Sequence, residues 1–377
     1  MKLTISKDVL IKGINDVLKA ISSKTALPIL TGIKIEANNN GVVLTGTDID
    51  LTIQATLPLE EKESIIATVE QPGAVVLPAR LFSEIVKKLP DVDVSISADE
   101  KHFATLTSGK AEFNLIGWDA SDYPMLPKLE NEETIQISQK VFKDVINSTN
   151  FATATTESRP VLTGVYFQVN EGLVATATDS HRLSNKKTAV ETAITELNVV
   201  VPAKSLNEIS KLLSDTEELV SIVFTTQQAC FTFENKVVYS RLLEGNYPDI
   251  SRLIPTEAKS TVQVNKRDML GSIERASLLS REDRNHTIKM DINTDGEVII
   301  SSHSPELGQV KEEIPTLSFT GEELEIAFSA KYMMDALKAL NGDEVTFFFN
   351  GGMRPFIIKS IDESEKALQL ILPVRVK

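Results

Sequence analysis

"VLPARLFSEIVKKLPD" (Val76–Asp91) and "VVPAKSLNEISKLLSD" (Val200–Asp215) are one strand-then-helix unit written twice, 124 residues apart (76 to 200). A weaker third copy, "AFSAKYMMDALKALNG", runs from Ala327 to Gly342. Each copy places a cation at the same two points: Arg80 and Lys87, Lys204 and Lys211, Lys331 and Lys338. A period this long is not that of a solenoid. Each unit is large enough to be a domain with its own core.

Other landmarks recur. "LPILTGIKIEANNNGVVLTGTD" (Leu27–Asp48) resembles "RPVLTGVYFQVNEGLVATATD" (Arg159–Asp179), and "NHTIKMDINTDGEVIISSHS" (Asn285–Ser304) is a degraded third version. Tyr123-Pro124 matches Tyr247-Pro248 at the 124-residue offset (123 to 247). Ser6, Ser138 and Asn265 each stand just before an amphipathic run, as N-cap residues do. Alternating β-branched stretches such as Gly32–Asn38 and Val220–Phe224 predict strands. "NNNG", "TSGK", "NTDG" and "NGG" mark turns. The expected class is α+β, mostly antiparallel sheet with two helices per domain. Domain boundaries are expected near 130 and 256, giving domains 1–129, 130–256 and 257–377.

Counting from the first cation of each repeated helix, offsets 2, 5 and 9 hold Phe82, Ile85 and Leu89; Leu206, Ile209 and Leu213; and Met333, Ala336 and Leu340. At about 100° per residue these form one apolar face, and the two cations at offsets 0 and 7 lie opposite it. A plain solvated face is the simplest reading, with Glu84, Glu208 and Asp335 in i,i+3 reach of Lys87, Lys211 and Lys338. Three copies keeping both cations suggest more. With the helices on the inner side of an arc, the stripes would form one basic lining facing a polyanion. The first helices carry cations less regularly: Lys7, Lys12 and Lys19; Lys140 and Lys143; Lys266, Arg267 and Arg275.

The chain of 377 residues has net charge 39 − 53 = −14, against a surface that binds nucleic acid all over but compatible with a basic stripe on an acidic body. One cysteine, Cys230, allows no intrachain disulfide and fits a reducing compartment. The N-terminus "MKLTISKDVL" lacks an apolar signal core and no apolar run reaches membrane-spanning length, so a soluble cytoplasmic protein is expected. His102, His181, His286 and His303 have no metal-ligand spacing, and no metal or cofactor is expected. A GxxxxGK[ST] loop is absent, which argues against ATP hydrolysis. Asp179, Ser180 and His181 are adjacent in sequence without a GxSxG elbow, so hydrolysis is not expected either. Asp48 and Asp50 in "TDID" have no calcium-loop ligand set and read as a turn.

The threefold repeat, "PILTG…LTGTD", "VLPAR", "SDYP", "TATDSHRL", "GNYPD" and the terminal "LILPVR" together resemble the bacterial DNA polymerase III beta subunit family, the sliding clamps, over essentially the whole chain. That resemblance implies three repeated clamp domains and a head-to-tail homodimer ring with helices inside and sheet outside. It implies double-stranded DNA held through the centre without sequence readout, as a processivity factor with no catalysis of its own. By position, Lys24, Arg80 and Lys204 match family DNA-contacting sites, and Lys331 repeats the place of Arg80. The family's aromatic contact is not carried over, because this chain has Pro160 and Val161 there.

The resemblance also implies a pocket between domains two and three for short peptides of the replicative polymerase, the clamp loader and repair proteins. The matching positions are Leu162, Thr178, Ser180, His181, Arg182, Leu183, Pro248, Arg252, Leu253, Leu370, Leu372, Pro373, Val374 and Arg375. Leu162, Leu370 and Leu372 also fit ordinary core. The chain ends at Lys377, slightly past the usual family ending. For the dimer, the resemblance sets Leu278 and Leu279 against Phe113 and Leu115 of the other chain. Two readings compete with the clamp: a scaffold without DNA, in which neutralising the basic stripe changes nothing, and an enzyme, which needs a cavity with ionisable groups of perturbed pKa.

Overall fold

The computed structural model describes residues 1–375 except 23, 62–63, 127–132, 157, 170, 281–285 and 363, and not the side chain of 252. The boundary expected near 130 and the terminal Lys377 lie outside the described residues. The six described α-helices are α1 (Lys7–Val17), α2 (Ala79–Lys88), α3 (Gln139–Thr149), α4 (Ala203–Leu212), α5 (Lys266–Ser277) and α6 (Ala330–Ala339). Every strand pairing described is antiparallel, so the class is α+β as the patterns predict.

The repeated helices α2, α4 and α6 each begin one residue before their first cation. All nine apolar residues at offsets 2, 5 and 9 are buried. All six cations are exposed. Leu89 and Leu340 stand one residue past their helices in extended conformation, so the apolar face outlasts the helix itself. The expected i,i+3 pairs form in one repeat only. Lys211 meets Glu208 at 2.7 Å, whereas Lys338 reaches Glu274 of α5 at 3.2 Å and Asp335 turns to Arg182. Among the described residues no ion pair joins Glu84 to Lys87.

Two cations of the first helices are structural. Lys7 Nζ donates to the Leu89 carbonyl (3.1 Å) and Lys266 Nζ to the Leu340 carbonyl (2.8 Å), satisfying orphan carbonyls where α2 and α6 end. In the second repeat this position is Gln139, whose side-chain oxygen accepts from the Ser214 amide. Asn265 caps α5 through the Arg267 and Asp268 amides, and Ser138 Oγ accepts from Val141. Ser6 occupies the cap position of α1 without a side-chain cap bond.

The described residues gather into two compact units: Met1–Phe142 with Glu191–Ile194 and Asn207–Leu242, and Lys143–Val190 with Thr195–Leu206 and Leu243–Lys377. The units divide the second repeat between them, and strand pairing explains why. In the first unit, Lys236–Arg241 pairs with Leu51–Leu57 in the middle of a nine-stranded sheet. In the second, Ala367–Ile371 pairs with Arg182–Thr188 in another nine-stranded sheet. The registers correspond: Ser240 faces Leu51 and Ile371 faces Arg182, both partners shifted by 131 positions (240 to 371, 51 to 182). Each unit also holds a smaller sheet. The five-stranded one ends on Ala111–Ile116 and the four-stranded one on Gly308–Ile314.

Candidate functional site

The Thr-Asp motif makes the same turn in both repeats that carry it. Thr47 Oγ1 donates to the Leu51 carbonyl and accepts from the Ile49 amide, while Asp48 Oδ1 accepts from the Leu51 amide. In the second repeat, Thr178 Oγ1 donates to the Arg182 carbonyl (2.6 Å) and accepts from Ser180. Asp179 Oδ1 accepts from the His181 and Arg182 amides. Each turn holds one residue in the left-handed region, Ile49 (φ 84°) and Ser180 (φ 76°). That conformation costs a non-glycine residue about 1–3 kcal/mol and persists because the bonds around it fix it. The Tyr-Pro motif braces the same place. Tyr123 donates to the Gly32 and Thr45 carbonyls, and Tyr247 lies 3.5 Å from the Thr176 carbonyl. Burial pushes both hydroxyls far above the usual tyrosine pKa.

The turns differ at one position. Where the first repeat has buried Leu51, the second has Arg182, itself only 7% exposed. Its Nε meets Asp179 Oδ2 (3.0 Å), Nη1 meets Asp335 Oδ2 of α6 (2.6 Å) and Nη2 donates to the Phe151 carbonyl. The guanidinium also lies 5.2 Å from the centre of the Phe151 ring and 4.5 Å from that of Tyr332. Arg182 is thus an anchor beneath the turn, its guanidinium engaged on several sides, rather than a group on the rim. Asp179 thus spends Oδ1 on the two turn amides and Oδ2 on the Arg182 guanidinium, a structural role within the turn.

Beside this turn the C-terminal segment is tied at two points. The Leu372 amide donates to the His181 carbonyl (2.9 Å) and the Val374 amide to the Ala327 carbonyl (2.7 Å). Leu183 and Leu370 face each other across the strands and form a buried cluster with Ile357, against which Ile250 and Ile254 pack. Leu372 (37%) and Leu253 (51%) are exposed, as is Pro248; Pro373 and Val374 are half-buried. Ser180, His181 and Arg375 are exposed, Thr178 is buried in its turn, and Leu162 is buried in the Pro160–Thr163 turn. The Arg252 side chain lies outside the described residues. Asp335, Phe151, Tyr332, Ile250 and Ile254 were not read from the sequence. Asp335 carried a signal, its place in the repeated helix, but its partner lies 153 residues away.

The other predicted residues are spread over separate elements. Lys24, Arg80, Lys204 and Lys331 are exposed. Phe113 (39% exposed) and Leu115 (7%) share one face of the edge strand Ala111–Ile116, opposite buried Leu106 and Ala104, while Ile116 (72%) lies on the other face opposite exposed Phe103. Leu278 is exposed just past α5, with Leu279 half-buried. Cys230 is buried, which pushes its thiol up to about 11 and leaves it mostly protonated at neutral pH. Among the described residues no cluster could hold a metal ion, and no helix is long and apolar enough to cross a membrane.

Three family models match in order: the N-terminal domain of the DNA polymerase III beta subunit at residues 1–127, the central domain at 136–249 and the C-terminal domain at 251–375. The chain belongs to the DNA polymerase III beta subunit family. Among curated relatives of this family, the beta sliding clamp of Bacillus subtilis is 50% identical over 377 residues, all of both chains. That of Staphylococcus epidermidis is 46% identical over 377 residues, covering all of this chain and 99% of the relative. Among solved structures, the DNA polymerase sliding clamp from Bacillus subtilis matches with a TM-score of 0.97 at 50% identity, and a DNA polymerase III beta chain from Streptococcus pneumoniae with 0.95 at 40%. Both comparisons cover all of both chains.

The Arg182 anchor yields a prediction. Arg182→Ala leaves the carboxylates of Asp179 and Asp335 without their buried cation, a change that costs about 3–5 kcal/mol in comparable pairs. Urea denaturation of the full chain is expected to show a clearly lowered midpoint for Arg182→Ala. Lys331→Ala, an exposed change on the neighbouring helix, is expected to leave it within error.

Proposed function

We propose that the chain is a beta sliding clamp of DNA replication: two copies close head to tail into a ring around duplex DNA and tether the replicative polymerase. The observation that carries this reading is the full-length match of three clamp-domain models, in order, to a chain whose three repeated helices each expose both cations. Lys24, Arg80, Lys204 and Lys331 would line the bore and meet phosphates without reading bases. Topology rather than affinity would hold the ring on DNA, so the net charge of −14 is no obstacle. An acidic exterior repels stray nucleic acid. Domains 1–129, 130–256 and 257–377 are retained as the repeating units, supported by where the three family models begin and end. A cytoplasmic location follows from the replicative role.

Ring closure would join the edge strand Ala111–Ile116 of one chain to Gly308–Ile314 of the other, with Phe113, Leu115, Leu278 and Leu279 at the contact. Exposed edge strands carry unpaired backbone groups that favour pairing with another chain, and exposed Phe113 and Ile116 add apolar area. A head-to-tail contact closes only if the rotation permits, and two chains of three domains would satisfy that. Clamp loader, polymerase and repair proteins would dock short peptides over Leu183 and Leu370, against Leu372, Val374, Pro248 and Leu253, with His181 at the border. Such a groove has apolar anchors and nearby backbone groups but no catalytic array.

Two measurements test these contacts. The double variant Leu278→Ala/Leu279→Ala is expected to sediment as a monomer; a persistent dimer would place the interface elsewhere. Calorimetric titration with a peptide carrying a glutamine and a short apolar end is expected to show a loss above about 1 kcal/mol for Leu372→Ala, roughly a fivefold rise in Kd. Unchanged affinity would move the peptide site away from the C-terminal segment.

A further inference from the structure

The outer face of the second unit's nine-stranded sheet carries a groove that the clamp reading does not use. Strand pairing sets Leu183, Leu370, Ile357 and Phe348 in one cross-strand row. Alternation then brings Asn185, Leu368, Lys359 and Thr346 to the same face one step along. Here lies a cavity of about 720 Å³ bordered by Asn185, Lys187, Phe348, Lys359, Lys366 and Leu368. It contains none of His181, Pro248 or Leu372.

Its charges are unequally committed. The Asp362 carboxylate accepts from the Ser364 amide and hydroxyl, which hold it ionised, so it stays a negative charge in the groove's lining that an acidic occupant must avoid. Glu365 accepts from Lys186 (3.3 Å) and from the Asn341 amide (3.0 Å). The cations are freer. Lys187 stands 3.7 Å from exposed Glu171. Lys359 stands over the Phe348 ring at 5.5 Å, and neither it nor Lys366 has a carboxylate partner among the described residues. The groove therefore offers an apolar floor of Phe348 and Leu368 beside three lysines, which outnumber the one lining carboxylate, Asp362, that no described cation pairs, on a chain whose net charge is −14.

We propose that this groove docks an acidic peptide segment of a protein partner, one apolar side chain resting on Phe348 and Leu368 and flanking carboxylates meeting Lys359, Lys366 and Lys187. Charge complementarity selects the occupant, and the apolar floor fixes its register. The volume lies within the range of about 300–1,000 Å³ typical of ligand sites, room for a few side chains.

The test uses the full chain and a dye-labelled peptide with one leucine flanked on both sides by glutamates, read by fluorescence anisotropy. Saturable binding that weakens with salt is expected, with at least about tenfold weaker binding of the glutamine-for-glutamate twin and of Lys359→Glu/Lys366→Glu. Leu372→Ala, in the separate groove, is expected to bind the acidic peptide within about twofold of the parent chain. Equal binding of the glutamine twin, or full affinity in the lysine double variant, would overturn the proposal. So would loss of binding in Leu372→Ala, which would assign the peptide to the other groove, or displacement by unlabelled oligo-dT, which would assign the lysines to nucleic acid.

Discussion

The architecture depends on how sheet edges find partners. A strand at an edge leaves a row of backbone donors and acceptors unpaired, which invites pairing with another strand. In this chain the repeats meet that constraint with each other: Leu51–Leu57 takes Lys236–Arg241, and Arg182–Thr188 takes Ala367–Ile371. The correspondence of the two registers means that one joint was built twice. Ala111–Ile116 and Gly308–Ile314 are among the edges that remain, and they are the two that the proposed second copy of the chain would cover. The proposed ring closure would be the same solution applied between chains.

The two joints are not chemically alike. Where the first has Leu51 in its core, the second has Arg182, and its cost in desolvation is offset by Asp179, Asp335, the Phe151 carbonyl and two aromatic rings. The residues around it serve both sides at once. The 179–183 turn carries His181 and Leu183 toward the proposed peptide groove, while its underside holds α6, which exposes Lys331 and Lys338. The C-terminal segment is fastened by backbone bonds to that turn and to the Leu324–Ser329 strand, so the proposed peptide contacts would fall to its side chains.

Local periodicity was a reliable guide to the fold. The apolar positions at offsets 2, 5 and 9 are all buried, and Gly32–Asn38 is a strand to the residue, because burial on a helix or strand face follows from spacing alone. Pairings across long separations were not legible. Asp335 looked like the i,i+3 partner of Lys338, yet a guanidinium 153 residues away in sequence holds it. Lys7 and Lys266 looked like surface cations and instead close helix ends, since nothing local marks which carbonyl a lysine will reach. The contacts of Arg182 with Asp335 and Phe151 are illegible for the same reason, since neither partner is near it in sequence.

The central claim is that topology holds this acidic chain on DNA. The most direct measurement loads it with its clamp loader onto nicked circular DNA, then compares retention before and after a single linearising cut, with the mass in solution determined alongside. The account predicts a particle of twice the chain mass that stays on the circle and leaves through the cut ends. Equal retention on circular and linear DNA, or a monomeric mass with no retention on either, would contradict it.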